Sequence, residues 1–139
     1  EAQRLLEVTE QALQVGIDKA RAGNEVSDIS RAVQAFVESY GYSVVREYTG
    51  HGVGRTMHED PQVPNWWPSP RQRVRGWRSV RLEPGLTFAV EPMVNIGKPA
   101  TRMLDDHWTV VTADGSLCAH FEHTIAITPE GPPLILTAL

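Results

Sequence analysis

Cysteine is nearly absent from this 139-residue chain: Cys118 stands alone. No internal disulfide can form, and a reducing, cytoplasmic setting is expected. Long apolar runs are missing as well. The longest span only a few residues, such as 134–136, against the roughly 20 that a membrane-spanning helix needs. No basic stretch followed by an apolar run opens the chain, so no secretory signal is expected. There is no excess of positive charge: the net charge of −4 argues against a general coat for DNA or RNA. The zinc-protease pattern His-Glu-x-x-His does not occur, a lone cysteine cannot build a zinc finger, and no glycine-rich stretch ends in Gly-Lys-Ser/Thr as a phosphate loop would.

What is present describes an ordinary folded domain, 41% hydrophobic and 22% charged. Such a length lets one core bury about two thirds of the surface the unfolded chain exposes, without help from metals or disulfides. The chain opens on Glu1 rather than methionine, which raises the expectation of a piece of something longer.

The first third reads as two helices. Leu5, Leu6, Ala12, Leu13, Ile17 and Ala20 recur near helical spacing, and Gly23-Asn24 supplies the stop. Val26, Ile29, Val33, Phe36, Val37 and Tyr40 form a second stripe, with Asn24 or Ser27 available as N-cap and Gly41 as terminator. Strands are expected over 42–48, 87–94, 107–112 and 119–128, the last two flanking a hairpin signal at Ala113-Asp114-Gly115. Two helices followed by mainly antiparallel strands make an α+β arrangement. Between them, residues 64–81 hold Trp66, Trp67, Trp77 and three prolines, then Arg71, Arg73, Arg75, Arg78 and Arg81 with no acid among the arginines. Prolines at that density predict a loop. Its arginines and tryptophans suit contact with RNA, and equally suit a solvated surface loop.

Alternation along the strands sorts the chemistry. Leu86, Phe88 and Val90 share one face, and Thr87, Ala89 and Glu91 the other; Phe121, His123, Ile125 and Ile127 oppose Glu122, Thr124, Ala126 and Thr128. Each strand therefore carries a large apolar face and a small, polar face with one glutamate. That pattern fits a solvated sheet face, and it also fits a carboxylate pair held for a cation. His51, between Gly50 and Gly52, adds a nitrogen donor, and the mixed set suits Mn, Fe, Co or Zn better than Mg or Ca.

Four runs identify a family. They are Gly50-His51-Gly52-Val53-Gly54-Arg55-Thr56-Met57-His58-Glu59-Asp60-Pro61 with Gln62-Val63-Pro64-Asn65 following, Leu82-Glu83-Pro84-Gly85-Leu86-Thr87-Phe88-Ala89-Val90-Glu91-Pro92-Met93-Val94-Asn95, Asp106-His107-Trp108-Thr109-Val110-Val111-Thr112, and Asp114-Gly115-Ser116-Leu117-Cys118-Ala119-His120-Phe121-Glu122-His123-Thr124. In this order they resemble the type I methionine aminopeptidases; the prolidases share the Gly-His and Glu-Pro elements but lack the Trp-Thr-Val and Phe-Glu-His-Thr ending. The resemblance runs through residues 1–139 and matches the C-terminal half of the family's catalytic domain, with 66–81 longer and richer in arginine. It implies half of a pita-bread fold, two helices on a curved, mainly antiparallel sheet, and two divalent metal ions (Co, Mn, Fe or Zn) in the complete enzyme. His51, Glu91 and Glu122 match three of the five metal ligands, and the two remaining aspartates belong to the other half. Glu91 also matches the proton-transfer carboxylate. His58 matches a histidine that contacts the scissile peptide, and Phe88 and Trp108 match positions lining the methionine pocket; plain core packing competes for Phe88. His107, His120 and His123 match no ligand, and His123 is expected on the apolar face. The implied substrate is a peptide or nascent chain beginning with methionine, with ribosome contact through the arginine loop as a further expectation and no membrane or DNA partner. The resemblance also implies that this half is inactive alone and leaves an aggregation-prone strand edge. A non-catalytic binding module and an Xaa-Pro peptidase relative are the alternative readings.

Overall fold

The computed structural model describes residues 1–69, 71–72 and 78–138. Helix α1 (Ala2–Lys19) buries Leu5, Val8, Thr9, Ala12, Leu13, Gly16 and Ile17. Leu6, expected inside, is exposed, because the stripe runs through Val8 one turn on from Leu5. Asn24 does not cap the second helix; its side-chain amide closes the first by donating to Lys19 O at 2.9 Å. The N-cap of α2 (Val26–Ser39) is Glu25, whose N–H donates to the Asp28 carboxylate at 2.9 Å. Gly41, at φ 76°, ends α2 as expected.

Ten short strands follow among the described residues: β1 (Ser43–Val44), β2 (Gly50–Gly52), β3 (Glu59–Val63), β4 (Thr87–Val90), β5 (Met93–Asn95), β6 (Thr101–Met103), β7 (Val110–Thr112), β8 (Cys118–His120), β9 (His123–Ala126) and β10 (Leu134–Ile135). Every pairing is antiparallel. The orders are β10-β9-β4-β2-β3, β1-β5-β8 and the two-stranded β6-β7.

Three strand expectations are corrected. Within 42–48 only Ser43 and Val44 are strand. The span 87–94 is two strands in two sheets, broken at Glu91-Pro92, since proline has no N–H to give a ladder. The span 119–128 breaks likewise at Phe121-Glu122. The turn at Asp114-Gly115 is real, with Gly115 at φ 74°, but it joins strands of different sheets: β7 pairs with β6, and β8 with β5.

The described parts of 64–81 carry no helix or strand, only a bridge of Arg81 to Glu25. Arg73, Arg75 and Trp77 lie outside the described residues. Trp66 and Trp67 are engaged by arginines from other elements, Arg46 at 4.8 Å from one ring centre and Arg31 at 5.8 Å from the other.

The core lies between the helices and the sheets, with Leu13, Ile17, Ile29, Val33, Phe88, Val90, Val94 and Ile125 buried together. Each such side chain contributes about 1.5–3 kcal/mol through removal from water. The strand faces turned away from the helices are left for chemistry. No described helix is long and apolar enough to cross a membrane.

Candidate metal centre

The two strand breaks face each other. Val90 pairs with His123 on one side of the break and Met93 with His120 on the other. The register is continuous, so Glu91 stands opposite Glu122, and directly opposed residues project to the same face. Val90 and Val94 turn to the core while Glu91 turns away from it, as alternation predicted.

β2 brings the third group. It runs between β3 and β4, and its glycines allow that closeness: a Cβ on Gly50 would overlap the Ala89 carbonyl, and one on Gly52 the Asp60 carbonyl. His51 Nδ1 lies 2.9 Å from Gly52 O, which accepts its proton, so that in the neutral ring Nε2 carries the lone pair. That nitrogen is 3.4 Å from Glu91 Oε1. Ligand atoms of His51, Glu91 and Glu122 all lie within 4.8 Å of one another.

These residues fit a divalent cation on a specific ground. Glu91 Oε1 is buried without a hydrogen-bond partner, and it faces a histidine nitrogen whose proton sits on the other side of the ring. With His51 neutral, two acceptors face each other in a half-buried site, an arrangement that a cation between them satisfies. One nitrogen and two carboxylates match the borderline metals.

Neighbouring groups hold the set in place. The buried Asn65 side chain donates to Glu91 O at 3.0 Å, fixing the backbone at the break. His58 lies on the loop joining β2 and β3, which closes through Gly54 N to Thr56 O at 3.1 Å. Its ring centre is 4.1 Å from that of His51. An open groove lined by His51, His58, Glu59 and Asp60 runs beside the pair.

Two expected site residues are not brought to this face. Phe88 is 0% exposed within the core cluster, on the side of β4 opposite Glu91, so packing accounts for its burial. Trp108 is 86% exposed in the β6–β7 turn, where the Asp106 carboxylate accepts from the N–H of Trp108 and of Thr109. His107 sits in the same turn at φ 57°. His123 is half-buried, with Thr137 Oγ1 2.9 Å from Nδ1.

One residue goes beyond the expected set. His120 Nε2 lies 3.5 Å from Glu91 Oε2. The hydrogen bond to Glu91 raises its pKa above the ordinary histidine value, against the lowering effect of burial, with the charges of Glu91 and Glu122 adding to the rise. The signal was in the alternation: His120 is two residues from Glu122 and shares its face.

Comparison with known proteins places the chain among metallopeptidases. The profile of metallopeptidase family M24 matches residues 1–129. Methionine aminopeptidase 1 of Bacillus subtilis is 52% identical over 92% of this chain and 49% of its own length. The crystal structure of methionine aminopeptidase from Thermotoga maritima superposes with a TM-score of 0.89 at 44% identity, covering 99% of this chain and 52% of that one. The prolidase of Pyrococcus furiosus shares the fold at a TM-score of 0.70 and 20% identity, over 100% of this chain and 33% of its own. This chain spans about half the length of the curated relatives it matches. The fold is that half of the pita-bread architecture, and the chain belongs to metallopeptidase family M24.

Proposed function

We propose that this chain supplies one half of the active site of a methionyl aminopeptidase, which removes the N-terminal methionine from peptides and nascent proteins in the cytoplasm. The observation that carries the reading is the convergence of His51, Glu91 and Glu122, with Glu91 Oε1 buried and unpartnered, in a chain 52% identical to a protein named methionine aminopeptidase.

His51 Nε2 and one carboxylate oxygen each of Glu91 and Glu122 would hold a divalent ion of Mn, Fe, Co or Zn. Such ions, when bound, supply a nucleophilic water at neutral pH and polarise the scissile carbonyl. The reaction breaks the peptide C–N bond after methionine and adds water across it. Glu91 takes the water's proton and returns it to the leaving amine. His58, held beside His51, donates to the carbonyl oxygen as negative charge gathers there. Trp108, exposed in the β6–β7 turn, is free to meet the methionine side chain only once the other half completes the pocket, and Phe88 is left with packing. This half lacks the two aspartate ligands that the resemblance assigns to the other half, so catalysis needs both halves. Ribosome contact through the 66–81 loop is not needed for this chemistry, and Trp66 and Trp67 are already engaged by Arg46 and Arg31.

The test is methionine release from a Met-Ala-Ser peptide by the full-length protein with added Mn or Co, wild type beside Glu122→Ala. Release lost in the variant supports the metallopeptidase. No release by a metal-loaded wild type refutes it and favours a binding module.

A further inference from the structure

Glu91 has an imidazole at each carboxylate oxygen. His51 Nε2 faces Oε1 at 3.4 Å, and His120 Nε2 faces Oε2 at 3.5 Å. The two contacts differ in kind. His51 directs a ring proton to Gly52 O and, when neutral, offers Glu91 a lone pair. His120 is half-exposed, with its Nε2 turned inward to a carboxylate that can only accept.

We propose that His120 is a positioning residue, which donates Nε2–H to Glu91 Oε2 and thereby holds Oε1 toward His51. The terminal torsion of a glutamate is broad and two-fold, so an unrestrained carboxylate can present either oxygen or tilt between them. A donor on one oxygen removes that freedom and leaves the other for the cation. The placement follows from the ribbon: His120 pairs with Met93 and is the diagonal neighbour of Glu91 on the same face, within reach of a long side chain. Asn65 holds the backbone of Glu91, while His120 holds its side chain. Carboxylate ligands are commonly oriented by such a donor, and its loss typically costs about 10–100-fold in metal affinity or activity.

The effect on metal affinity rests on the proposed function; the hydrogen bond does not, and the experiment separates them. In metal-free full-length protein, histidine side-chain 1H–15N spectra should give His120 a protonated Nε2 whose signal moves in Glu91→Gln. A bare Nε2 on His120 overturns the proposal. Calorimetric titration with Mn then compares wild type, His120→Ala and His120→Gln. The expected result is at least about 10-fold weaker binding in the alanine variant, with most of the affinity restored by glutamine, which again offers an N–H. Unchanged affinity in His120→Ala overturns the proposal, as does a glutamine variant as weak as alanine at an unchanged melting temperature. A wild type that binds no Mn refutes the metallopeptidase reading, while the spectra still decide whether His120 donates to Glu91.

Discussion

Glu91 and Glu122 oppose each other at the one step of a continuous antiparallel ribbon where both strands leave the five-stranded sheet for the three-stranded one. Pro92 removes a ladder donor there, and the ladder opens where the carboxylates need room. Two like charges on one face repel, and a positive charge between them relieves that repulsion.

Metal should therefore stabilise the protein through this pair. At a Mn concentration 100 times its dissociation constant, binding adds about 2.7 kcal/mol, enough to raise the melting temperature by several degrees. Glu122→Gln should abolish that rise, and without metal it should melt no lower than wild type because a repulsion is gone. Thermal melts with Mn and with a chelator check both statements. A Mn-induced rise that persists in Glu122→Gln would refute the assignment.

The glycines beside His51 should be less replaceable than the glycine in the helix interface. A Cβ on Gly52 would overlap the carbonyl of Asp60, which belongs to the paired strand and cannot rotate away. Gly52→Ala should lower stability and Mn affinity together by moving β2 and His51. At Gly16 the Cβ meets the side chain Val33 Cγ2 at 2.9 Å. Overpacking of about 1–3 kcal/mol is partly offset there by the roughly 1 kcal/mol helix preference of alanine over glycine. Urea unfolding with Mn titration should show Gly16→Ala changing stability alone.

Much of this was legible locally. The two helices, the apolar faces and the opposite placement of the glutamates follow from spacing and alternation. The breaks at Glu91-Pro92 and Phe121-Glu122 were not legible, because side-chain alternation runs straight through them while the hydrogen-bonding partners change, and partners are a long-range property. The Asp114-Gly115 turn illustrates the same limit. Its local signal was right, yet it joins β7 and β8, whose partners are β6 and β5. Leu6 failed for a smaller reason, lying beside the helical stripe rather than on it. His120 could have been found by applying to it the alternation already used for Glu122.

Asp114 should set part of the acid sensitivity. Its carboxylate accepts from the N–H of Lys98 at 2.7 Å and of Ser116 at 3.0 Å, tying the β5–β6 connection to the β7–β8 turn. These donors, Lys98 foremost, lower its pKa to about 2. A depressed folded-state pKa means stability that is full above the ordinary value near 3.8 and lost as pH falls toward about 2. Asp114→Asn should be less stable at neutral pH and show a flatter loss across that window. Urea midpoints measured at several pH values would decide, and parallel acid limbs would exclude the role.

Phe88 and Trp108 should part company under mutation. Phe88 is fully buried among the core side chains, so Phe88→Ala should cost about 3–5 kcal/mol, with Mn affinity of the folded fraction unchanged. Trp108, with 86% of its surface exposed, has little packing to lose. Trp108→Ala should unfold at the same urea concentration as wild type, while the full-length protein shows a raised KM for methionyl peptides if the indole contacts substrate. Removing a contact made equally in the ground and transition states raises KM and leaves kcat. A Trp108→Ala protein with unaltered KM and kcat would remove it from the substrate pocket, and a Phe88→Ala protein of native stability would show that its burial is not core packing.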